Sequence, residues 1–113
     1  MKVFELVEKL GLKVYCGSNG LENEVSNGYT SDLLSDVMGH ADAGCAWITL
    51  QTHKNVMAIA SLKDLSAVIL VKGFEPESDM AAQSNEEGIP VLGTNEEAFA
   101  ISGKLFNLLI NCK

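Results

Sequence analysis

Apolar residues follow two rhythms along the chain. In KVFELVEKL, residues 2–10, Val3, Leu6, Val7 and Leu10 recur every three or four positions. That spacing predicts a helix with one apolar face, stopped at Gly11. Ala67-Val68-Ile69-Leu70-Val71, in contrast, is an unbroken apolar run with three β-branched members. A strand with one wet face alternates, so this run predicts a strand covered on both sides, as in parallel sheets between helix layers. It is expected to be the central strand.

The same two rhythms organise the rest. Leu12 to Cys16 predicts a short strand, and Gly17 to Glu24 a polar loop. Val25 to Tyr29 is strand-like, with Asn27-Gly28 as a bulge or turn; here the sheet can become mixed. Thr30, Ser31 and Asp32 are expected to lead a helix through Met38, closed at Gly39, followed by a turn at Asp42-Ala43-Gly44. Cys45 to Leu50 predicts another buried strand. Thr52 then caps a helix from His53 or Lys54 to about Leu62, with Val56, Ile59, Ala60 and Leu62 as its inner face. After the central strand, Lys72-Gly73 breaks the run. Ser78 and Asp79 open a helix whose thin inner stripe is Met80, Ala81 and Ser84, and Gly88 closes it. Ile89 to Gly93 is a short strand with Pro90 near its start, where a missing N–H costs least. Thr94-Asn95-Glu96-Glu97 has the form of a capping box opening a last helix through Phe99, Leu105, Phe106 and Leu109. Five strands alternating with helices predict a single domain over residues 1–113. Its fold is a three-layer α/β/α sandwich around a mainly parallel sheet of about five strands, mixed if the Val25 segment runs against the others.

Composition narrows the function. No apolar run approaches the roughly 20 residues of a membrane span, and charges throughout the first 13 residues argue against a signal peptide. Formal net charge is −7, and all eight cationic residues are lysine. Nucleic-acid readout leans on arginine and a basic face, so that partner is not expected. Cys16, Cys45 and Cys112 are widely spaced with no CxxC. They are expected to be reduced thiols in a cytoplasm, with Cys16 and Cys45 buried and Cys112 exposed at the tail. His40 and His53 lack metal-ligand spacing, and no metal or cofactor is expected. The acidic pairs Glu86-Glu87, Glu96-Glu97 and Glu75/Glu77 fit solvated faces and helix starts better than acid–base work, because adjacent carboxylates on a helix diverge. No nucleophile–base pairing is visible, so an enzyme is not expected.

In open α/β sheets, ligands bind beyond the C-terminal ends of strands. Those ends are expected to carry Gly17-Ser18, Thr52-His53-Lys54, Lys72-Gly73 and Gly93-Thr94-Asn95. The last eight of these residues form the candidate ligand site. Strand ends and helix starts bring orphan N–H donors there, and Lys54 and Lys72 add positive charge to an acidic protein. A small anion, such as a nucleotide or phosphorylated metabolite, is the ligand this pattern suits. The plainer reading is that these are ordinary caps and solvated lysines.

One family resemblance runs from Ile48 to Ser102. It is carried by Ile48-Thr49, Val56-Met57-Ala58-Ile59-Ala60, Ala67 to Val71, Gly73-Phe74-Glu75-Pro76, Gly88-Ile89-Pro90-Val91-Leu92, Thr94 and Phe99. In that order these pieces resemble the DRTGG domain, and Val25 to Leu50 fits more loosely. The domain is similar to the N-terminal domain of HPr kinase/phosphorylase and occurs beside CBS pairs in some bacterial regulatory proteins. The signature that names the family is absent, and Thr52-His53 stand where its acidic-basic pair usually falls. No kinase P-loop domain is present. The resemblance implies a non-catalytic regulatory or interaction domain, usually dimerising, in a bacterial cytoplasm. Two functions follow as expectations: a regulatory domain binding a small anionic ligand or a protein partner, or a purely structural homodimerisation module. Apolar content of 47% in a small chain, with Trp47 and Phe74 near strand or turn ends, supports a homodimer.

Overall fold

The computed structural model describes residues 1–111. Its elements run α1 (Val3–Leu10), β1 (Lys13–Cys16), a 3-10 turn at Ser18–Gly20, β2 (Asn27–Thr30), α2 (Leu34–His40), β3 (Cys45–Thr49), α3 (Asn55–Leu62), β4 (Ala67–Leu70), α4 (Ser78–Glu87), β5 (Val91–Gly93) and α5 (Ala98–Asn111). The sheet order is β1-β5-β4-β3-β2, so β4 is central as expected. Every residue from Ala67 to Val71 is fully buried.

The unbroken apolar run is explained by the register. Ile69 lies between Ile48 and Leu92, and Val68 between Trp47 and Val91. Ala67, Ile69 and Val71 face one layer with Val3, Leu6, Ile101 and Leu105, the inner positions of α1 and α5. Val68 and Leu70 face the other, with Val37, Val56, Met57, Ala60 and Met80 from α2, α3 and α4. Each buried aliphatic side chain contributes roughly 1.5–3 kcal/mol, and β4 offers such side chains to both layers.

The sheet is mixed, but not where the sequence suggested. β2 runs parallel to β3, while β1 pairs antiparallel with β5. Asn27-Gly28 is neither a bulge nor a turn. Gly28 sits in the strand because α5 crosses it closely: a Cβ there would stand 2.9 Å from Leu105 Cδ2.

Two expected helix starts are displaced. Asp32 does not lead α2; its Oδ1 instead accepts from Thr49 Oγ1 at 2.9 Å and Leu50 N at 2.7 Å, tying off the end of β3. Gly39 lies inside α2, which runs to His40 with Ala41 at its C-cap. α3 begins at Asn55, without a side-chain cap from Thr52. Its buried face is Val56, Met57 and Ala60, with Leu62 68% exposed. Glu77, rather than Ser78, holds the cap position of α4, whereas Gly88 closes it in the left-handed conformation as expected. Trp47 is not exposed at all. It lies mid-strand, faces the α2–α4 layer, and donates Nε1–H to Ser31 O at 2.8 Å. Cys16 and Cys45 are buried free thiols, and burial pushes the Cys45 thiol pKa up. Cys112 lies outside the described residues. No helix among the described residues is long and apolar enough to cross a membrane.

Candidate functional site

The parallel strands β2 to β5 end at one rim. Its loops are residues 31–33, 50–54, 71–77 and 94–97. The antiparallel β1 contributes the opposite end: Lys13, its first residue, pairs with Gly93. Gly17-Ser18 therefore lies at the other rim, where Gly17 N donates to Asn85 Oδ1 at 2.7 Å, and it does not join the candidate site.

Seven of the eight candidate residues occupy three neighbouring loops, and Gly93 ends β5 beside them. Thr52 joins two of them: its carbonyl accepts from Glu77 N at 2.9 Å, and its hydroxyl reaches Glu77 Oε2 at 3.4 Å. His53 is half-buried, with Nε2 3.0 Å from Gln51 Oε1. Lys54 is exposed, and its carbonyl accepts from Met57 N at 3.0 Å and Ala58 N at 3.2 Å. Lys72 and Gly73 both take the left-handed conformation, with φ of 59° and 75°. This reverses the chain at the end of β4. It is a strained conformation for lysine and an easy one for glycine. Lys72 N donates to Glu96 O and Gly73 N to Thr94 O, each at 2.9 Å, locking this loop to the one after β5. Asn95 Oδ1 lies 3.0 Å from where a Gly73 Cβ would stand.

Thr94 departs from the expected capping box. Its Oγ1 accepts from Glu96 N at 3.1 Å, a local turn, and α5 begins only at Ala98. Gly93 is buried in β5, and a Cβ there would collide with Tyr15 Cε2; its bareness accommodates that ring.

The backbone of the rim is therefore less open than orphan strand ends suggest. The amides of Lys72, Gly73, Phe74, Glu77, Thr94 and Glu96 are all bonded within the protein. Among the described residues, the amides of Thr52, His53, Lys54 and Asn95 have no intramolecular acceptor, so these donors and the side chains remain for a ligand. Lys13, Lys54 and Lys72 are exposed and take part in no ion pair among the described residues, while Glu96 is neutralised by Lys104 at 2.7 Å. Gly93, Thr94 and Asn95 line a cleft of about 280 Å³ together with Leu10, Gly11, Lys13, Tyr15 and Glu96. Thr52, His53, Lys54, Lys72 and Gly73 stand outside it. Lys13 and Tyr15 were missed from the sequence because a parallel β1 would carry its first residues to the other rim.

Two further hollows exist. A groove of about 450 Å³ runs between β2 and α5, walled by Gly28, Ile48, Leu105, Phe106, Leu109 and Ile110 among others. A polar hollow of about 410 Å³ at the opposite rim carries Glu24, Asp64 and Glu87. No group of three or more metal-ligating side chains occurs among the described residues.

A doubly covered α/β domain with polar loops gathered at one rim is the class that fold and site define. Within it, the sequence matches the DRTGG domain family over residues 5–108, and the chain belongs to that family. The match reaches into α1 and β1, ahead of the region where the resemblance is legible by eye. Among solved structures, the chain is similar to the CBS and DRTGG domains of the regulatory region of Clostridium perfringens pyrophosphatase, complexed with the activator diadenosine tetraphosphate. The TM-score is 0.66 at 12% identity, covering 92% of this chain and 45% of that one. This chain thus spans less than half of the structure it resembles. No curated protein matches the sequence.

Proposed function

We propose that this chain is a non-catalytic regulatory domain that binds a small anionic ligand, a nucleotide or phosphorylated metabolite, at the rim formed by Thr52, His53, Lys54, Lys72, Gly73, Gly93, Thr94 and Asn95. The observation that carries the reading is the pair of exposed lysines, Lys54 and Lys72, without an ion pair among the described residues, at one rim of a protein with net charge −7. An acidic protein repels anions unless cations are concentrated locally. Membership of the DRTGG family and likeness to a regulatory region solved with a nucleotide activator support the same reading. Reduced buried thiols suit a bacterial cytoplasm.

A thermal-shift screen of nucleotides and phosphorylated metabolites tests this, since a ligand that binds only the folded state raises Tm by mass action. Calorimetry against the hit should show weaker binding for Lys54→Ala and Lys72→Ala, with the fold intact in both, because exposed lysines contribute little to stability. Equal affinity in all three proteins moves the site elsewhere. A screen without hits favours the second reading, a homodimerisation or protein-interaction module. That alternative has its own observation, an uncharged face on which Phe99 is 93% and Phe106 65% exposed.

A further inference from the structure

We propose that the cleft between β1 and the loop after β5 is a subsite for one nucleoside monophosphate, with Tyr15 as the platform for the base and Lys13 as the phosphate contact. The inference rests on the anion-binding reading of the rim and adds to it a floor, a third lysine and a ligand class.

Three chemically different groups converge on this hollow. Tyr15 supplies a partly exposed aromatic ring, seated where Gly93 offers no side chain to obstruct it. Lys13 supplies a cation whose Nζ lies 5.1 Å from the ring centroid. Asn95 supplies an amide at the lip, beside the Lys72-Gly73 turn. Glu96, the carboxylate in the lining, is neutralised by Lys104. A π face, an amide and a flanking cation are what a nucleotide requires: stacking for the base, hydrogen bonds for its edge, positive charge for the phosphate. At about 280 Å³ the cleft sits just below the usual range for small-molecule sites, about 300–1,000 Å³. That size suits one nucleotide unit. When a base stacks on Tyr15, the Lys13 ammonium leaves the ring for the phosphate, exchanging one partner for a stronger one.

The simpler account is that Lys13 guards an exposed edge strand and Tyr15 fills the layer beneath it. That account predicts effects of substitution on stability alone. AMP and UMP, a purine and a pyrimidine probe, separate the two in calorimetric titrations and amide chemical-shift mapping, with adenosine and inorganic phosphate as half-ligands. We expect both nucleotides to bind more tightly than either half-ligand, with shifts at Lys13, Tyr15, Gly93 and Asn95. Tyr15→Ala should lose affinity by roughly ten- to a hundredfold, while Tyr15→Phe retains it. Tyr15→Leu, which keeps apolar bulk but removes the π face, should lose affinity while staying folded at the titration temperature. Lys13→Gln should weaken AMP binding and flatten its salt dependence. Nucleotides that leave the cleft amides unmoved, or Tyr15→Leu and Lys13→Gln proteins that bind as wild type, overturn the assignment. If the Lys54→Ala and Lys72→Ala proteins alone lose a ligand, the cleft fails and the anion-binding rim survives. If no compound is affected by any of the four positions, both fall.

Discussion

Gly93 shows how one absent methyl group shapes the rim. The Tyr15 ring fills the space in which a Cβ would lie, so Gly93→Ala forces the ring outward or β5 inward. Overpacking of this kind costs typically about 1–3 kcal/mol, or roughly 4–8 °C of Tm per kcal/mol in a domain near this size. We expect Gly93→Ala to melt several degrees below wild type in a thermal scan, and the loss to shrink in a Tyr15→Ala background, where the clash is gone. Equal losses in both backgrounds would show that the ring is not the obstacle.

A second residue-level device is Asp36 on α2, whose carboxylate accepts from Tyr29 OH at 2.9 Å and faces His40 Nδ1 at 3.2 Å. Hydrogen bonds from Ser31 and then Tyr29 hold its carboxyl below the usual carboxylate range. A depressed folded-state pKa contributes stability that is present above the unfolded pKa and lost as pH falls through the folded one. The Tm gap between wild type and Asp36→Asn should therefore be open at neutral pH and close on acidification through the carboxylate range. A gap independent of pH would assign the effect to packing.

At the scale of elements, β4 is the test of the fold. Ile69 is fully buried between Ile48 and Leu92, with no polar group beside it in that register. Ile69→Asp places an unpaired charge there, a change in the class that costs more than about 4 kcal/mol. Circular dichroism should report an unfolded chain; a soluble variant with a native spectrum would displace β4 from the centre. β4 was legible in the sequence because both its faces meet apolar layers, so the run has no gaps. The C-terminal cap of α4 was legible for a similar reason: Gly88 satisfies a purely local conformational demand. What could not be read locally were choices made by distant partners. Four residues carry no mark of whether β1 runs with or against β5, and that direction decides whether Lys13 or Gly17 reaches the rim. Asp32 and Thr94 look like helix caps, yet the end of β3 claims one and a tight turn the other. Trp47 was placed at the wrong end of the exposure scale because its indole N–H finds a carbonyl, Ser31 O, that lies 16 residues away.

For the whole molecule, the open question is what covers α5 and β2. From Ala98 to Asn111 there is no carboxylate and one lysine, Lys104, which already pairs with Glu96; β2 carries no charge. Phe99, Phe106 and Ile110 are 93%, 65% and 50% exposed along this face, beside the groove of about 450 Å³ between β2 and α5. Two copies with net charge −7 each repel one another, least where neither presents a carboxylate. An open β2 edge flanked by an uncharged helix is also self-complementary about a two-fold axis, as an isologous dimer requires. A second copy of the chain is therefore the occupant we expect, with α5 and β2 as the shared surface. Light scattering at micromolar concentration under reducing conditions should give twice the 12.1 kDa chain mass, and added salt should tighten the association by screening the repulsion. Phe106→Glu, a change at an exposed position, should yield a folded monomer. A monomer mass for wild type across the concentration range removes the dimer altogether. A Phe106→Glu protein that still dimerises removes this face from it, and a dimer that vanishes on reduction is a cysteine-linked artefact.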